Sequence, residues 1–597
     1  MKKELFNLIK ESIHQIKSVE NIENVISKIE ISETKNKIHG DFSTNIALIL
    51  AKELNKSPIE LAEILISSFT KIQNLEKTEI AGPGFINFFI SDHSHLKIIS
   101  IVHLEGNKFG RIESTSKSLN ILIEYVSSNP TGPLHVGHGR GAAYGSTISN
   151  LLRATGQSVE EEYYVNDFGR QMDILTLSVF IRYIERWKEL EISYPENCYQ
   201  GEYIKQIAFK LPKPNNSLHQ LYSNEFLEEL VKKTKDCSND KALDELTNFT
   251  KGWKINYKKK EKQQPEFEEI REYSLHSILS NIQKDLESFG VKHNNWFYES
   301  TLYDDKKSDS VDIVVKDLKS KKLIFEKEGA IWFRSSAFGD DKDRVVIREN
   351  LEKTYFASDI AYHHNKYNRG FDKIINIWGS DHHGYFPRVS GAIEALGHDK
   401  DKLHIIFVQF ANLIRNKKKV SMSTRGGNFV SLNELINEVS QDAARFFYIM
   451  RKADQHLDFD LDLAKDQSKD NPLYYIQYAH ARICSILKES SNEFNSEIAL
   501  EREDYLGFLN SPAEIELCKQ LKVYPEIIRN AAEKYEPHLV CYFLRELASN
   551  FHSYYNNERI LIKDKELQSS RLLLIGAIKQ VMANGLEIIG VSAPESM

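Results

Sequence analysis

Strand-like and helix-like hydrophobic patterns follow one another in the central part of the chain. Residues 121–126 form a short, mostly apolar, β-prone run, and residues 139–155 have the Ala- and Leu-rich composition of a helix, with Gly156 placed to end it. Residues 159–165 then have the pattern of a second strand. This order predicts a βαβ unit whose first crossover is a loop at residues 127–138.

The same order of patterns returns later in the chain. Residues 373–378 form an apolar run, residues 385–396 have a helical pattern that Gly397 ends, and residues 403–410 form the next β-prone run. Two such units predict an α/β domain with a Rossmann-like, doubly wound parallel sheet, which binds its ligand in a crevice where the strand order reverses. A polar, Lys- and Glu-rich section at residues 194–322 is interpreted as an insertion.

The two ends of the chain carry different patterns. Residues 1–112 mix helical and strand-like runs, among them an amphipathic helix near the start, and they predict an α+β domain. From residue 466 onwards, apolar residues recur every three or four positions, as at Leu539, Phe543 and Leu547. That period predicts an all-α domain over residues 466–597 and leaves residues 118–465 to the α/β domain.

Composition restricts the class of protein. Hydrophobic residues make up 41% and charged residues 27% of the 597 residues, as in a soluble globular protein of several domains. The amphipathic start lacks the apolar core of a signal peptide, and no run approaches the roughly 20 apolar residues of a membrane span, so we expect a cytoplasmic protein with no membrane partner. Five scattered cysteines without a C-x-x-C pair argue against a structural zinc site.

The first crossover loop carries the most specific motif. Residues 129–139 read NPTGPLHVGHG, which places His135 and His138 at the start of the predicted helix. A helix N-terminus preceded by glycines is a common phosphate site, and imidazoles can donate hydrogen bonds to oxygens on which negative charge builds. The alternatives are capping or surface histidines, or a metal pair without its other ligands. The strand-loop-helix context favours phosphate chemistry.

The second βαβ unit adds two further motifs. Residues 379–384 (GSDHHG) follow an apolar strand, and the carboxylate of Asp381 there can accept hydrogen bonds from ribose hydroxyls. Capping of a helix by Ser380 or Asp381 is the alternative. Residues 417–428 cluster four cations, three hydroxyls and two glycines, which suits a flap that folds over a triphosphate; a solvated basic hairpin is the alternative.

Two acidic residues stand in apolar surroundings. Glu124 interrupts the first strand, where a buried carboxylate is costly unless it meets a cation, and Asp359 follows Tyr355 in an aromatic-rich run. Two carboxylates and a phenol in one pocket would suit a planar guanidinium, although Asp359 could simply cap a helix. In the helical region, Tyr474 and Tyr478 have the spacing of a surface for unstacked bases, with core packing as the alternative.

At these residues the chain resembles the bacterial-type arginyl-tRNA synthetases, a family of class I aminoacyl-tRNA synthetases. The resemblance covers nearly the whole chain. Residues 135–138 (HVGH) resemble the HIGH motif, and residues 421–425 (SMSTR) stand in the place of the KMSKS loop. Residues 40–47 and 81–87 resemble the N-terminal domain of this specificity, which contacts the tRNA elbow, and residues 442–446 and 474–482 resemble the start of the anticodon-binding domain.

The resemblance assigns roles to individual residues. The implied catalytic residues are His135, His138 and Arg425, and the implied ATP-binding residues are Gly137, Gly379, Asp381, Ser421, Met422, Ser423 and Thr424. The implied arginine-binding residues are Glu124, Ser127, Asn129, Tyr355 and Asp359, and the implied tRNA-binding residues are Tyr474, Tyr478 and Met597.

The resemblance implies a two-step reaction. L-Arginine would attack the α-phosphate of ATP to form arginyl-adenylate, and the terminal ribose of tRNA(Arg) would then take the arginyl group. Mg²⁺ is expected with ATP, while no zinc or other protein-bound metal is expected. The family further suggests that activation requires bound tRNA, and we expect a monomer.

One departure from the family pattern affects the flap. The fourth KMSKS position, usually a lysine, is Thr424, and Gly132 stands where some arginyl enzymes carry a compensating lysine. Arg425 and residues 417–419 are therefore the candidate sources of that charge. Two alternatives remain: a class I synthetase for another amino acid, such as cysteine or lysine, and a tRNA-binding paralogue with weakened catalysis.

Overall fold

The computed structural model describes the chain outside a few short segments. The described residues are 2–16, 22–34, 39–70, 72, 75–213, 215–252, 266–303, 309–420, 430–490 and 503–597. The flap residues Ser421, Met422, Ser423, Thr424 and Arg425 lie outside the described residues.

The elements are numbered in chain order. The strands are β1 (Ile31–Glu33), β2 (Phe42–Thr44), β3 (Leu75–Ala81), β4 (Phe85–Ile90), β5 (Asn120–Glu124), β6 (Ser158–Val165), β7 (Asn295–Tyr298), β8 (Ile324–Lys327), β9 (Ala330–Phe333), β10 (Arg344–Ile347), β11 (Lys373–Gly379), β12 (Leu403–Val408), β13 (Ala411–Arg415), β14 (Lys418–Lys419) and β15 (Leu457–Asp460).

The α-helices include short single-turn pieces and long helices of more than 20 residues. They are α1 (Lys2–Gln15), α2 (Ile22–Ile26), α3 (Ile46–Leu54), α4 (Pro58–Ser68), α5 (Asp92–Glu105), α6 (Val136–Ala154), α7 (Arg170–Ile184), α8 (Glu202–Lys210), α9 (Leu218–Leu221), α10 (Asn224–Asp236), α11 (Asp240–Gly252), α12 (Phe267–Ser288), α13 (Ser310–Ser320), α14 (Tyr355–Asn368), α15 (Phe386–Ala395), α16 (Leu432–Val439), α17 (Gln441–Ile449), α18 (Leu461–Lys465), α19 (Pro472–Ser490), α20 (Pro512–Lys534), α21 (His538–Asn557) and α22 (Lys565–Ile588).

A five-stranded parallel sheet in the order β12-β11-β5-β6-β7 forms the centre of the α/β region. Its order reverses at β5 and β11, as a doubly wound sheet requires, and the carboxyl ends of these two strands lead into the predicted motifs. The edge strand β7 comes from within the section interpreted as an insertion, so that section completes the sheet. Its residues 295–298 (NWFY) follow a long polar stretch that hides the strand signal.

Helix α6 begins at Val136, three residues earlier than the helical composition predicts. Almost all of the helix is buried. Side chains from neighbouring elements pack directly against two of its glycines, where any larger residue would clash with them. A Cβ on Gly139 would lie 2.8–2.9 Å from the Leu432 and Tyr448 side chains, and one on Gly145 would overlap the Tyr125 ring. Close packing therefore explains the glycine-rich start of this helix.

The chain forms two compact units: residues 1–109, 483–523 and 549–581 belong to the first, and residues 110–482, 524–548 and 582–597 belong to the second. The first unit contains the antiparallel sheet β1-β2-β4-β3, against which α1, α3 and α4 pack their apolar faces. Helices α19, α20, α21 and α22 each contribute residues to both units. In the described residues, no helix is long and apolar enough to span a membrane.

A buried carboxylate joins two strands of the parallel sheet to α14. Glu162 on β6 is fully buried and accepts two hydrogen bonds from Arg369, at 2.6 and 3.0 Å. It also accepts hydrogen bonds from Asn295 on β7, at 2.7 Å, and from the Tyr362 hydroxyl on α14, at 2.6 Å. Four donors on one buried carboxylate compensate its desolvation.

We predict that Glu162→Gln lowers the free energy of unfolding by about 2–3 kcal/mol, because it leaves the Arg369 guanidinium without its buried counter-charge. Glu160→Gln is the matched control, since Glu160 lies two residues earlier on the same strand, 3.6 Å from Arg369 and more exposed. It should cost less than about 1 kcal/mol. Urea denaturation measures both, and equal losses would contradict this account of the sheet.

Candidate active site

A strained turn leads from β5 into the histidine motif. Val126 and Ser127 have φ angles of 71° and 38°, a left-handed conformation that is rare for residues with a Cβ and especially for a branched one. The Ser127 hydroxyl donates to Glu124 Oε1 at 2.8 Å and accepts from the Tyr164 backbone N–H at 3.1 Å. These bonds hold the turn, which presents the exposed side chain of Asn129 next to it.

The two histidines of the motif cap α6. Gly137 N–H donates to His135 Nδ1 at 3.1 Å, His135 N–H donates to His138 Nδ1 at 3.2 Å, and the two rings stack 3.7 Å apart. Burial lowers the pKa of His135, and burial together with the neighbouring His135 lowers the pKa of His138 to about 3. Both rings are therefore neutral at pH 7 and accept through Nδ1, so that each carries its proton on Nε2. Capping and donation to a ligand are thus compatible roles.

The residues that follow the predicted flap, Val430 and Leu432, are bonded to this motif. Val136 N–H donates to Val430 O at 3.2 Å, and Leu432 N–H donates to Leu134 O at 2.8 Å. The near end follows the hairpin formed by β13 and β14, where Val420 N–H donates to a carbonyl of β13 at 2.9 Å. The last residue before α16 and the first residues of α6 therefore lie side by side.

The second motif follows β11 at the neighbouring strand end. The Ser380 hydroxyl donates to Gln409 Oε1 at 2.8 Å, while the Asp381 side chain is exposed. The short 3₁₀ turn that follows is capped at Gly379 without a side-chain bond, and α15 begins only at Phe386. Neither Ser380 nor Asp381 caps an α-helix, so the capping alternative is wrong and the Asp381 carboxylate remains available to a ligand.

Glu124 meets the cation that its burial requires. Lys366 on α14 is completely buried and donates to Glu124 Oε2 and, at 2.8 Å, to Asn376 Oδ1. Both carboxylate oxygens of Glu124 are therefore engaged, one by Lys366 and the other by Ser127. Sequence reasoning missed Lys366, which shares a polar face of α14 with Asp359 and His363 and has no local pattern that points to Glu124.

Asp359 lies in the second turn of α14 and does not cap it. Thr354 caps that helix by accepting from Ala357 N–H, so the capping alternative is wrong here too. Asp359 accepts a hydrogen bond from the Tyr385 hydroxyl. Burial raises the pKa of Asp359 to about 6; the Tyr385 hydrogen bond opposes that rise, and the charge of Glu124 adds to it.

Glu299 is a third acid in this cluster, and sequence reasoning missed it. It is almost completely buried just after β7, where it faces Tyr164 and Ser358. Burial first, and then the charge of Asp359, raise the pKa of Glu299 to about 7. The signal available from the sequence was an acidic residue directly after an aromatic run, but that run was hidden in the section interpreted as an insertion.

The predicted arginine-binding residues lie at the end of β5 and on α14. The amide of Asn166 contacts Asn129 at 3.1 Å and Glu299 at 2.7 Å, which connects the histidine loop to the acids. Tyr355 is 53% exposed and lines a cavity of about 690 Å³ that Glu299 and other residues also line. The structure thus brings Glu124, Ser127, Asn129, Tyr355 and Asp359 around one site.

Two of the predicted tRNA-binding residues lie together on α19. Tyr474 and Tyr478 on α19 stack with their ring centroids 5.9 Å apart, and the Arg482 guanidinium lies 4.5 Å from the Tyr478 ring. Tyr478 and Met597 are exposed, so core packing does not account for them. In the described residues, no group of three or more His, Cys, Asp or Glu side chains is placed to hold a metal ion.

Three protein-family models match the chain. The model described as the arginyl tRNA synthetase N terminal domain matches residues 3–90, and the model for the class I (R) tRNA synthetase catalytic domain matches residues 99–206 and 212–460. The DALR anticodon binding domain matches residues 476–597. The family predicted from the sequence is therefore confirmed by matches in all three regions.

Relatives and solved structures agree with these models. A protein of Coxiella burnetii named arginine–tRNA ligase is 47% identical over 602 residues, covering 100% of this chain and 99% of the relative. Its counterpart from Nitrosomonas eutropha is 46% identical over 95% of this chain and 94% of the relative. The solved structure of Thermus thermophilus arginyl-tRNA synthetase has the same fold, with a TM-score of 0.70 at 20% identity and full coverage of both chains. From these matches and this site, the chain belongs to the arginyl-tRNA synthetase family of class I aminoacyl-tRNA synthetases.

Proposed function

We propose that the chain is an arginine–tRNA ligase. It activates L-arginine with ATP to form arginyl-adenylate and pyrophosphate, and it transfers the arginyl group to the terminal ribose of tRNA(Arg). The observation that supports this specificity is the acidic cluster of Glu124, Glu299 and Asp359, which holds one lysine for three carboxylates. The finer proposals are that it acts as a monomer in the cytoplasm, without a membrane partner and with Mg²⁺ bound to its ATP.

The charge of the acidic cluster suits a guanidinium. Lys366 is already bound to Glu124, so Asp359 and Glu299 are the two carboxylates left for a cationic ligand. A guanidinium is always charged and presents donors in a planar fork, which two adjacent carboxylates can accept. An ammonium presents only a point charge, so the same pocket discriminates against lysine.

The strained turn positions the rest of the proposed arginine site. Asn129 and Ser127 hold the α-amino and carboxylate end of arginine, and the exposed Tyr355 ring covers the substrate beside Asp359. The arginine carboxylate then lies next to the histidine motif, where it attacks the α-phosphate of ATP. Because no covalent enzyme intermediate is involved, catalysis depends on positioning and on stabilisation of charge.

The nucleotide side uses the two motifs at the crevice. Gly137 lets the phosphates approach α6, and the Nε2–H groups of His135 and His138 donate to oxygens that gain charge in the transition state. Gly379 and Asp381 bind the adenosine. Bound Mg²⁺ would neutralise part of the triphosphate charge, and the flap with Arg425 supplies the cation absent at Thr424.

Tyr474, Tyr478 and Met597 bind the tRNA. Tyr478 and Met597 are exposed, Tyr474 stacks on Tyr478, and the Arg482 guanidinium lies against the Tyr478 ring, which suits unstacked bases. Binding there orders the active site, so activation of arginine depends on tRNA.

We predict that the purified chain charges tRNA with radiolabelled arginine and leaves lysine and cysteine uncharged. ATP–pyrophosphate exchange with arginine should require tRNA. Charging with lysine would establish another class I specificity, and tRNA binding without charging would establish the non-catalytic paralogue; either result contradicts the proposal. Rapid exchange without tRNA would contradict the tRNA-dependence alone.

We predict that the KM for arginine falls as pH rises from about 5.5 to about 8, while the KM for ATP changes little, because Asp359 and Glu299 bind the guanidinium only when deprotonated. With pKa values of about 6 and about 7, both lose their protons inside this range. Initial rates of charging, measured across that pH range, show whether the KM for arginine falls as the pH rises. A KM for arginine that is constant or rises with pH would contradict the acidic cluster as its site.

Asp359→Asn sharpens the same experiment. It should raise the KM for arginine roughly 30-fold or more at about pH 8, and it should move the remaining pH dependence to lower pH, because Glu299 loses a neighbouring charge. Asp401→Asn, an exposed acid that precedes β12, is the matched control and should leave both properties unchanged. A pH dependence that stays in place in Asp359→Asn would show that Glu299 and Asp359 do not interact.

A further inference from the structure

Residues 442–446 (DAARF) form a motif that the sequence singled out and to which no role has been given. They lie in α17, where Arg445 is completely buried and Asp442 stands in the first turn. The side chains of both residues are bonded to residues 588–597, named here the C-terminal segment. The motif and the C-terminal segment both belong to the second unit.

The C-terminal segment begins where α22 ends. Asn150 Nδ2 on α6 donates to Ile588 O at 3.0 Å, and Arg445 Nε donates to Ile589 O at 3.3 Å. These donors bond carbonyls at a helix end, where partners inside the helix are missing. Gly590 then turns the chain with a φ of 71°, and a Cβ at this position would overlap the Arg445 guanidinium. The start of the segment is therefore fixed to α6 and α17.

The next residues of the C-terminal segment are held by polar side chains of α17 and α19. Asp442 Oδ1 accepts from Ser592 N–H at 3.2 Å, and Asp442 Oδ2 accepts from the Ser592 hydroxyl. Gln477 Nε2 donates to Ser592 O and to Asp442 Oδ2, both at 3.0 Å. His480 Nδ1 donates to Pro594 O at 2.8 Å, since a carbonyl can only accept. Three main-chain groups of the segment are thus bonded to side chains of these two helices.

The C-terminal segment and the stacked tyrosines occupy neighbouring faces of α19. Tyr474 lies three residues before Gln477, so the two side chains are neighbours on the helix surface. Met597 follows Pro594 by three residues, so its Cα lies within roughly 11 Å of the carbonyl that His480 holds. The Met597 side chain is 55% exposed. It is therefore kept close to α19 and remains open to a partner.

We propose that Asp442 is a positioning residue for tRNA: with Gln477 it holds the C-terminal segment so that Met597 binds the tRNA together with the tyrosines of α19. The inference rests on the proposed function for the identity of the nucleic acid. A loose segment would lose conformational freedom when tRNA binds, whereas a held segment has already lost it. Asp442 therefore strengthens binding through Met597, without a contact of its own to the tRNA.

Asp442→Ala should raise the KM for tRNA roughly fivefold in charging with arginine. At saturating tRNA, the KM values for arginine and ATP should stay within about twofold of wild type, because neither substrate site uses the C-terminal segment. The direction of the change separates positioning from charge, since removal of a carboxylate near a polyanion would by itself lower the KM for tRNA. An unchanged or lowered KM for tRNA would overturn the proposal.

Glu268→Ala is the matched control. Glu268 is an exposed acid in the first turn of α12, as Asp442 is an acid in the first turn of α17, and α12 belongs to the inserted section. Its replacement should leave the KM values for tRNA, arginine and ATP within about twofold of wild type. A rise in the KM for tRNA equal to that in Asp442→Ala would overturn the specific role of Asp442.

Hydrogen exchange in the full chain measures directly how firmly the C-terminal segment is held. In Asp442→Ala, peptides from residues 591–597 should exchange faster than in the wild type, because the Ser592 N–H loses its acceptor, while peptides from α6 keep their protection. Faster exchange with an unchanged KM for tRNA would overturn the proposal. A raised KM for tRNA with unchanged exchange would also overturn it, since Asp442 would then act by another route.

A double variant tests whether Asp442 acts through Met597. Met597→Ala should also raise the KM for tRNA, and Asp442→Ala combined with Met597→Ala should give the same KM as Met597→Ala alone, because a held segment then has no thioether to present. Multiplication of the two single effects would overturn the route through Met597.

Gln477→Met provides the same test if Asp442→Ala does not fold. It removes the two bonds of Gln477 Nε2 and keeps the length of a side chain that is mostly buried. The KM for tRNA should rise by roughly twofold or more, with faster exchange in residues 591–597. An unchanged KM for tRNA in this variant would overturn the proposal.

Equilibrium binding of labelled tRNA on filters separates this inference from the proposed function. A chain that binds tRNA without charging it with arginine would contradict the ligase, and a higher Kd for tRNA in Asp442→Ala would still support the positioning role. Charging by the wild type and by Asp442→Ala with equal KM and Kd for tRNA would overturn the positioning role and leave the ligase in place. A wild-type chain that binds no tRNA would overturn both.

Discussion

Carboxylates that are buried next to one another are tolerated only when cations join them, and this electrostatic constraint organises the amino-acid site. Glu124, Asp359 and Glu299 come from β5, α14 and the end of β7, and Lys366 neutralises the first of them. Burial, and after it the neighbouring negative charge, raises the pKa values of the other two. Protons supply part of the missing positive charge, and under the proposed function a guanidinium replaces them when arginine binds.

The ion pair between Lys366 and Glu124 is also connected, through the backbone of the strained turn, to the side of the crevice proposed to bind ATP. Lys366 holds Glu124, Glu124 accepts the Ser127 hydroxyl, and this bond helps to keep the strained turn that leads to His135 and α6. Strain of about 1–3 kcal/mol per residue persists only where the surroundings overdetermine the conformation, and such places are common at functional sites. Under the proposed function, recognition of the amino acid and alignment of the histidines therefore depend on one buried contact.

Local signals were enough to predict the elements that carry the motifs, since β5, α6, β6, β11 and α15 all lie close to their predicted positions. Local signals did not predict the residues that contact the site from distant parts of the sequence. Lys366 is 242 residues from Glu124, and Glu299 lies on an edge strand that its polar neighbours disguise. Both capping alternatives are wrong, because Thr354 caps α14 and Gly379 caps the 3₁₀ turn that follows β11. Which residue takes the cap position depends on backbone geometry. The predicted domain boundaries and site roles stay predictions.

Calorimetric titration of arginine into the full chain near pH 6.5, repeated in buffers of different ionisation enthalpy, tests the central claim most directly. The slope of the observed enthalpy against the ionisation enthalpy of the buffer gives the number of protons exchanged on binding. The account predicts a net release of protons from Glu299 and Asp359, which disappears above about pH 8.5, where both carboxylates are already charged. Binding without any exchange of protons near pH 6.5, or with net uptake, would contradict the view that arginine replaces protons in an acidic cluster short of one cation.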